Sequence, residues 1–332
     1  MTRLLIYRPT YLRLRERLHS ADPDLQPILF GDDNQLEADG RQVTAETAGA
    51  EAALANGEVF FSPVARGFSI SMLKSPALKW VQSAAAGYDH PIFRQLVDKG
   101  LMLTTSHGQA VGMADFVLAG VLDHFGGGPV RRAAQASGDW RRLTFREVEG
   151  SIWLVIGFGA IGQGVARRAR AFGAHVVGVR RDPSPHPLAD RIAPPAEIPR
   201  ALADADVVVL SLPLSSETRH LADQAFFLAM KPGAVLVNVG RGGLVDEAAL
   251  LAALDRGVPE HAILDVFETE PLPPGSPFWS HPRVSVSAHS SGATEGQHAR
   301  NDALFLDNLA RFVRGEPLLN LASAEDVRAA RA

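Results

Sequence analysis

Short apolar runs recur along the chain, separated by polar or helix-patterned stretches. In the first hundred residues they are RLLIYR (3–8), EVFFSPV (58–64), LKWVQSA (78–84) and LMLTTS (101–106). A second series comprises IWLVIG (152–157), HVVGV (175–179), DVVVLSL (206–212), AVLVNVG (234–240), AILDVF (262–267) and RVSVSAH (283–289). Apolar runs without polar alternation predict parallel strands covered on both faces. Helical stretches at 161–172, 224–230 and 246–256 lie between runs of the second series. Strand and helix alternating from end to end predict an α/β chain.

Two series predict two α/β units with parallel sheets. The joint falls near SHGQAVG (106–112), after which an apolar helix, MADFVLAGVLDHF (113–125), runs into a turn at FGGGPV (125–130). Beyond His289 the chain reads as one long amphipathic helix, 294–314, and a polar tail.

Composition narrows the class. The 332 residues fit about two domains, and 46% apolar with 21% charged residues suits a soluble globular protein. No run approaches the roughly 20 apolar residues of a membrane span, so no membrane partner is expected. The N-terminal MTRLLIYRPTYLRLRERL carries charges through its short apolar core. It does not read as a signal peptide, which points to the cytoplasm. With no cysteine there is no disulfide, thiolate metal site or cysteine nucleophile, and no metal is expected. A net charge of −4 gives no general attraction for nucleic acid. The arginine pairs at 131–132, 141–142 and 167–168 read as solvated helix faces.

GFGAIG (157–162) follows a strand and opens a helix, the setting a dinucleotide fingerprint requires. Gly157 permits the tight turn, Gly159 lets backbone approach a pyrophosphate, and Gly162 lets helix and strand pack closely. The phosphates would then meet free N–H groups and the positive end of the helix dipole. At the end of the next strand, where a carboxylate usually holds the adenosine ribose, stand Arg180 and Arg181. Guanidinium groups offer fork-shaped donors to a 2′-phosphate, so NADP(H) is expected, with NAD possible. The competing arrangement turns the arginines to solvent and bends Asp182 back to the ribose.

Three later segments carry residues suited to a carbonyl beside a carboxylate. Arg241 lies just past the 234–240 run, Asp265 near the 262–267 run with Glu270 in the loop after it, and His289 at the end of the last run. Ligands of open α/β sheets gather outside the carboxyl ends of strands, so these loops should face one crevice. Taken singly, each has a bland alternative: a surface ion pair, a solvated acid, a structural histidine.

In order, AAAGYDH (84–90), GFGAIG, LPLSSETRHL (212–221), NVGRGGLVDE, LDVFETEPLP and SAHSSGAT resemble the D-isomer-specific 2-hydroxyacid dehydrogenase family. Among its members, glyoxylate and hydroxypyruvate reductases look closest. The resemblance implies two Rossmann-like or flavodoxin-like domains, with the cofactor domain (108–291) inserted into a substrate-binding domain (1–107 and 292–332). It also implies a homodimer, the helix after the first crossover lying in the interface.

The resemblance assigns roles as well. Arg241 matches the residue that grips the substrate's carboxylate and carbonyl oxygen, and His289 the general acid and base. Glu270 matches the carboxylate pairing with that histidine; a negative neighbour favours the protonated imidazole. Coenzyme positions fall on Gly157, Gly159, Ala160, Ile161, Gly162, Arg180, Arg181, Leu212, Pro213, Thr218, Val239, Gly240, Arg241, Asp265, His289 and Gly292. Substrate would meet the backbone N–H groups of Ala86 and Gly87, together with Arg241 and His289. Three departures stand out: Ala288 where proline is usual, the missing strand-end acid, and FGGGPV where an arginine-containing segment is common. Trp140 matches a tryptophan that reaches the partner's active site in some reductases, with packing in the interface as the alternative. Arg66 could contact substrate, with surface placement as its alternative.

The expected activity is reduction of a small 2-oxo acid, such as glyoxylate or hydroxypyruvate, to the 2-hydroxy acid. The second hypothesis is a dinucleotide-sensing regulator resembling the family's corepressors.

Overall fold

The computed structural model describes residues 1–88 and 90–330, so Asp89 of the AAAGYDH motif lies outside the described residues. The chain divides into two compact units, one of residues 1–108 and 295–332, the other of residues 109–294.

The first unit begins with β1 (Arg3–Tyr7), α1 (Arg8–Ala21), β2 (Gln26–Phe30), β3 (Leu36–Ala38), β4 (Arg41–Val43) and β5 (Ala52–Ala55). It continues with α2 (Gly57–Phe60), α3 (Ala65–Lys74), β6 (Trp80–Ser83), α4 (Pro91–Asp98) and β7 (Met102–Thr104). Its sheet order is β4-β3-β2-β1-β5-β6-β7, with β3 and β4 forming an antiparallel hairpin on an otherwise parallel sheet. Asp39 and Gly40, both at positive φ, make the two-residue turn of that hairpin.

One strand expectation is overturned. EVFFSPV is not a strand: Asn56 caps α2 by accepting from Val59 N at 3.3 Å, and the adjacent strand is the AALA run of β5. Three alanines and one leucine, all buried, give a short, weak pattern, whereas Val59 and Phe60 lend the helix an apolar look.

The second unit holds α5 (Ala110–Phe125), α6 (Gly128–Ser137), β8 (Ile152–Ile156), α7 (Ala160–Ala171), β9 (His175–Val179), β10 (Arg191–Ala193) and α8 (Ile198–Leu202). Then come β11 (Val207–Leu210), α9 (Gln224–Ala229), β12 (Val235–Asn238), α10 (Glu247–Arg256), β13 (His261–Leu264) and β14 (Val284–Val286). All neighbours are parallel in the order β10-β9-β8-β11-β12-β13-β14. FGGGPV is more than a turn, since α6 starts within it.

The uninterrupted runs have a simple cause. Leu154, Ile156, Val208 and Leu210 point into one apolar layer, while Trp153, Val155, Val207 and Val209 point into the other. Successive side chains of a strand face opposite sides, and here both sides are covered.

After β14 the chain returns to the first unit with α11 (Glu295–Arg314), followed by α12 (Ala324–Ala329) inside the expected polar tail. Phe305 and Phe312 of α11 pack on Trp80, with ring centroids 5.6 and 5.2 Å away. The second unit is thus an insertion within the first. Among the described residues, no helix is long and apolar enough to cross a membrane.

Candidate active site

The strand order of the second unit's sheet reverses at β8. β9 and β10 are added on one side of it and β11 to β14 on the other, and ligands collect outside the carboxyl ends of strands at such a switch point. Gly157 leaves β8 at φ +98°, and a Cβ there would lie 2.7 Å from the backbone of Ser211 and Leu212. No other residue fits this turn without strain. At Gly162 a Cβ would stand 2.3 Å from Gly157 O, so helix and strand touch. Nothing lies within 4 Å of the corresponding point on Gly159. Ala160 and Ile161 open α7, whose first turn has no side-chain cap. Unfilled space beside uncapped N–H groups suits a pyrophosphate.

Arg180 follows β9, the strand beside β8. Its Nε donates to Asp182 O at 2.6 Å and one Nη to Ser184 O at 2.8 Å, so the guanidinium braces the turn after the strand. Arg181 is exposed. Asp182 is engaged locally, accepting from Ser184 N and Oγ at 3.0 and 2.6 Å. Those hydrogen bonds hold its carboxyl below the usual range. Leu212 and Pro213 follow β11, and Thr218 closes their loop by donating to Pro213 O at 2.9 Å and accepting from Ser215 N at 2.8 Å.

Past β12, Val239 and Gly240 are buried and Arg241 is half-buried. Asn238, 1% exposed, donates to Arg241 O at 2.9 Å and accepts from Gly240 N at 3.1 Å. It thereby fixes the backbone that carries the guanidinium.

Asp265 directly follows β13 and is 1% exposed. Its carboxylate accepts from Ser287 Oγ, from Ser290 N at 2.9 Å, and from Ser291 N and Oγ. His289 N donates to Asp265 O at 2.8 Å. These bonds hold His289 at φ +50°, a conformation rare for a non-glycine residue. Its Nδ1 lies 2.7 Å from Glu270 Oε2, while Glu270 Oε1 accepts from Phe267 N at 3.0 Å. With Nδ1 on the carboxylate, Nε2 remains as the imidazole's other polar atom. Both partners are partly exposed, as a site open to substrate requires. Gly292, in the same loop, lies against Gln109 and Met113.

Arg241, Glu270 and His289 therefore leave the same ends of β12, β13 and β14, three consecutive parallel strands, in line with the glycine turn after β8. Neighbouring strands lie about 4.8 Å apart, so these segments crowd one sheet edge. Ala86 and Gly87 belong to the first unit, in the loop after β6, where Ala85 N donates to Ser83 Oγ at 3.0 Å and Ala85 O accepts from Ser106 N at 2.9 Å. Arg66 is exposed on α3, and Trp140 is 98% exposed beyond α6. The sequence reading passes over Asn238 and the serines at 287, 290 and 291. Their signal was the short polar side chain at a strand end, which often hydrogen-bonds nearby backbone.

An inserted, doubly wound parallel domain with a glycine turn and a histidine–carboxylate pair at one edge defines a nicotinamide-dinucleotide oxidoreductase. The model of the NAD binding domain of D-isomer specific 2-hydroxyacid dehydrogenases matches residues 118–291. The glyoxylate reductase of Korarchaeum cryptofilum is 32% identical over 269 residues, covering 76% of this chain and 79% of that protein. A D-isomer specific 2-hydroxyacid dehydrogenase from Xanthobacter autotrophicus Py2, solved with NADPH and MES, superposes with a TM-score of 0.78 at 29% identity, covering 98% of this chain and 99% of the other. The NADPH-dependent glyoxylate/hydroxypyruvate reductase of Sinorhizobium meliloti, solved with NADP and sulfate, gives 0.77 at 26% identity, covering 98% and 100%. The chain belongs to the D-isomer specific 2-hydroxyacid dehydrogenase family. It is an oxidoreductase of 2-hydroxy acids whose second unit binds the nicotinamide coenzyme.

Proposed function

We propose that this protein reduces a small 2-oxo acid, glyoxylate or hydroxypyruvate, with NADPH as the preferred coenzyme. The observation that carries the reading is the 2.7 Å pair of His289 and Glu270 at the sheet edge shared with Arg241. A nicotinamide held in the second unit would supply the hydride for the carbonyl carbon. His289 donates its Nε2 proton to the carbonyl oxygen, and Glu270 holds Nδ1–H and offsets the imidazolium charge. After the transfer His289 is neutral and recovers its proton from solvent. Arg241 presents a planar fork to the carboxylate and carbonyl oxygen of the acid, a match that lysine cannot reproduce. In the first unit, the N–H groups of Ala86 and Gly87 are candidate donors to a carboxylate.

The coenzyme is assigned to Gly157, Gly159, Ala160, Ile161 and Gly162 for the pyrophosphate. Leu212, Pro213, Thr218, Val239, Gly240 and Gly292 line its further course. Asp265 acts there by anchoring the loop that carries His289. Arg180 and Arg181 take the 2′-phosphate; for Arg180 this exchanges two carbonyl partners for an anion, and hydrogen bonds to charged groups are the stronger kind. Two related structures solved with NADPH or NADP support this coenzyme.

A homodimer completes the proposal. None of the residues of α6 is buried, and Trp140 and Phe145 beyond it are 98% and 56% exposed. A ten-residue helix without a packed face is marginal in water. A second copy of the chain would cover it. The relatives named above are reductases and dehydrogenases, which favours an enzyme over a coenzyme-sensing regulator.

The test is coenzyme oxidation with glyoxylate, hydroxypyruvate and bulkier 2-oxo acids, each with NADPH and NADH. The expected result is turnover of the two small acids at higher kcat/KM with NADPH. Silence across the panel overturns the reductase, and a preference for NADH overturns the 2′-phosphate assignment.

A further inference from the structure

The turn at 267–270 carries Glu270, yet Glu270 makes only one bond to it, to Phe267 N. The turn must be placed by something else. Three contacts converge on it. Glu268 N donates to Glu247 Oε1 at 2.8 Å, at the first residue of α10. The Glu268 side chain pairs with His220 Nε2 at 2.5 Å. The backbone of Phe267 and Glu268 presses on Gly242, where a Cβ would lie 1.8 Å from Phe267 C.

His220 is itself over-determined. It sits at φ +52°, and its N–H donates to Gly243 O at 2.8 Å. A non-glycine residue held in this region costs on the order of 1 kcal/mol and persists where the surroundings impose it. The pair with Glu268 is exposed, and such pairs contribute about 0–1 kcal/mol to stability. Its consequence is therefore positional. His220 is also the penultimate residue of the 212–221 segment that follows β11, so one contact joins that segment to the turn bearing Glu270.

We propose that His220 and Glu247 are positioning residues for the acid–base pair. They pin Glu268 from two sides, so that the next turn of chain delivers the Glu270 carboxylate to His289 Nδ1. The inference rests on the proposed role of His289. Neither residue touches the reacting atoms in this scheme; each acts through the turn.

The experiment compares His220→Ala, Glu247→Ala and Glu247→Gln with the unaltered enzyme, using NADPH and glyoxylate. Losing one hydrogen bond that sets the turn should lower kcat about 3- to 10-fold. Coenzyme affinity, read by fluorescence titration, and Tm should stay unchanged. The loss should fall on kcat, with KM for glyoxylate within about twofold, because the displaced turn carries no group that grips the acid in this scheme. Glu247→Gln keeps an oxygen that accepts from Glu268 N, and should restore kcat to within about twofold. Should Glu247→Ala not fold, the exposed His220→Ala carries the test. An unchanged kcat in His220→Ala overturns the inference, as does a loss confined to coenzyme affinity. His289→Ala, run alongside, separates the two levels: if it too keeps full kcat, the acid–base reading has failed. If it alone is crippled, only the positioning role has.

Discussion

Nδ1 of His289 lies 2.7 Å from Oε2 of Glu270, although 19 residues separate them and each belongs to a different strand end. With Nδ1 against the carboxylate, Nε2 is left as the imidazole's other polar atom. Glu270→Gln keeps an acceptor and removes the charge. Its expected effect is a fall in kcat for oxo-acid reduction of about tenfold or more, a part of the 10²–10⁴ that general acid catalysis supplies. Stopped-flow rates of coenzyme oxidation by the variant and the unaltered enzyme will check it.

Replacing both arginines after β9 should separate the two coenzymes. A charge-assisted hydrogen bond is worth about 1.5–3 kcal/mol, so Arg180→Ala with Arg181→Ala should raise KM for NADPH roughly 10- to 100-fold. KM for NADH should change little, because that coenzyme lacks the phosphate. Steady-state kinetics with both coenzymes reads this directly.

Gly242 admits no side chain. Its Cβ would lie 1.8 Å from Phe267 C and 2.4 Å from Glu268 N, and backbone on both sides leaves no flexible group to yield. Gly242→Ala should therefore displace the 267–270 turn and lower stability by about 1–3 kcal/mol. A lowered Tm together with a depressed kcat is the expected signature; a lowered Tm with full kcat would show that the turn tolerates displacement.

His261 stacks on His124 with ring centroids 4.5 Å apart, 7% exposed at the start of β13. Burial, then the neighbouring His124, lowers its pKa from 6.5 to about 4. Below about pH 6.5 the unfolded chain takes up a proton that the folded one refuses until about pH 4. Acidification through that window therefore favours unfolding, by on the order of 2 kcal/mol near pH 5. His261→Gln keeps a polar group within reach of Ser285 and does not titrate. Its Tm should fall less between pH 7 and pH 5 than that of the unaltered protein, measured by calorimetry.

The second unit was legible because its chemistry is local in sequence. Each strand buried on both faces must be apolar throughout, and each βα turn approached by backbone must be glycine, as at Gly157. The first unit was less so. Its β5 is only four residues, three of them alanine, and helix α2 beside it looks more strand-like than the strand does. The hairpin of β3 and β4 announced itself only by the Asp39–Gly40 pair.

The sequence alone determined which residue types stand at the strand ends: Arg241, Asp265, Glu270 and His289, with arginine where an acid is usual. It did so because a parallel sheet delivers the ends of successive strands to one edge whatever the loops do. Only the folded chain decided which groups meet. Asp265 proves to be a buried anchor taking hydrogen bonds from the loop at 287–291, and Asn238, Glu247 and His220 hold the loops in place. Partners such as these lie up to 48 residues apart, and hydrogen bonds across that separation depend on three-dimensional proximity that no linear pattern encodes.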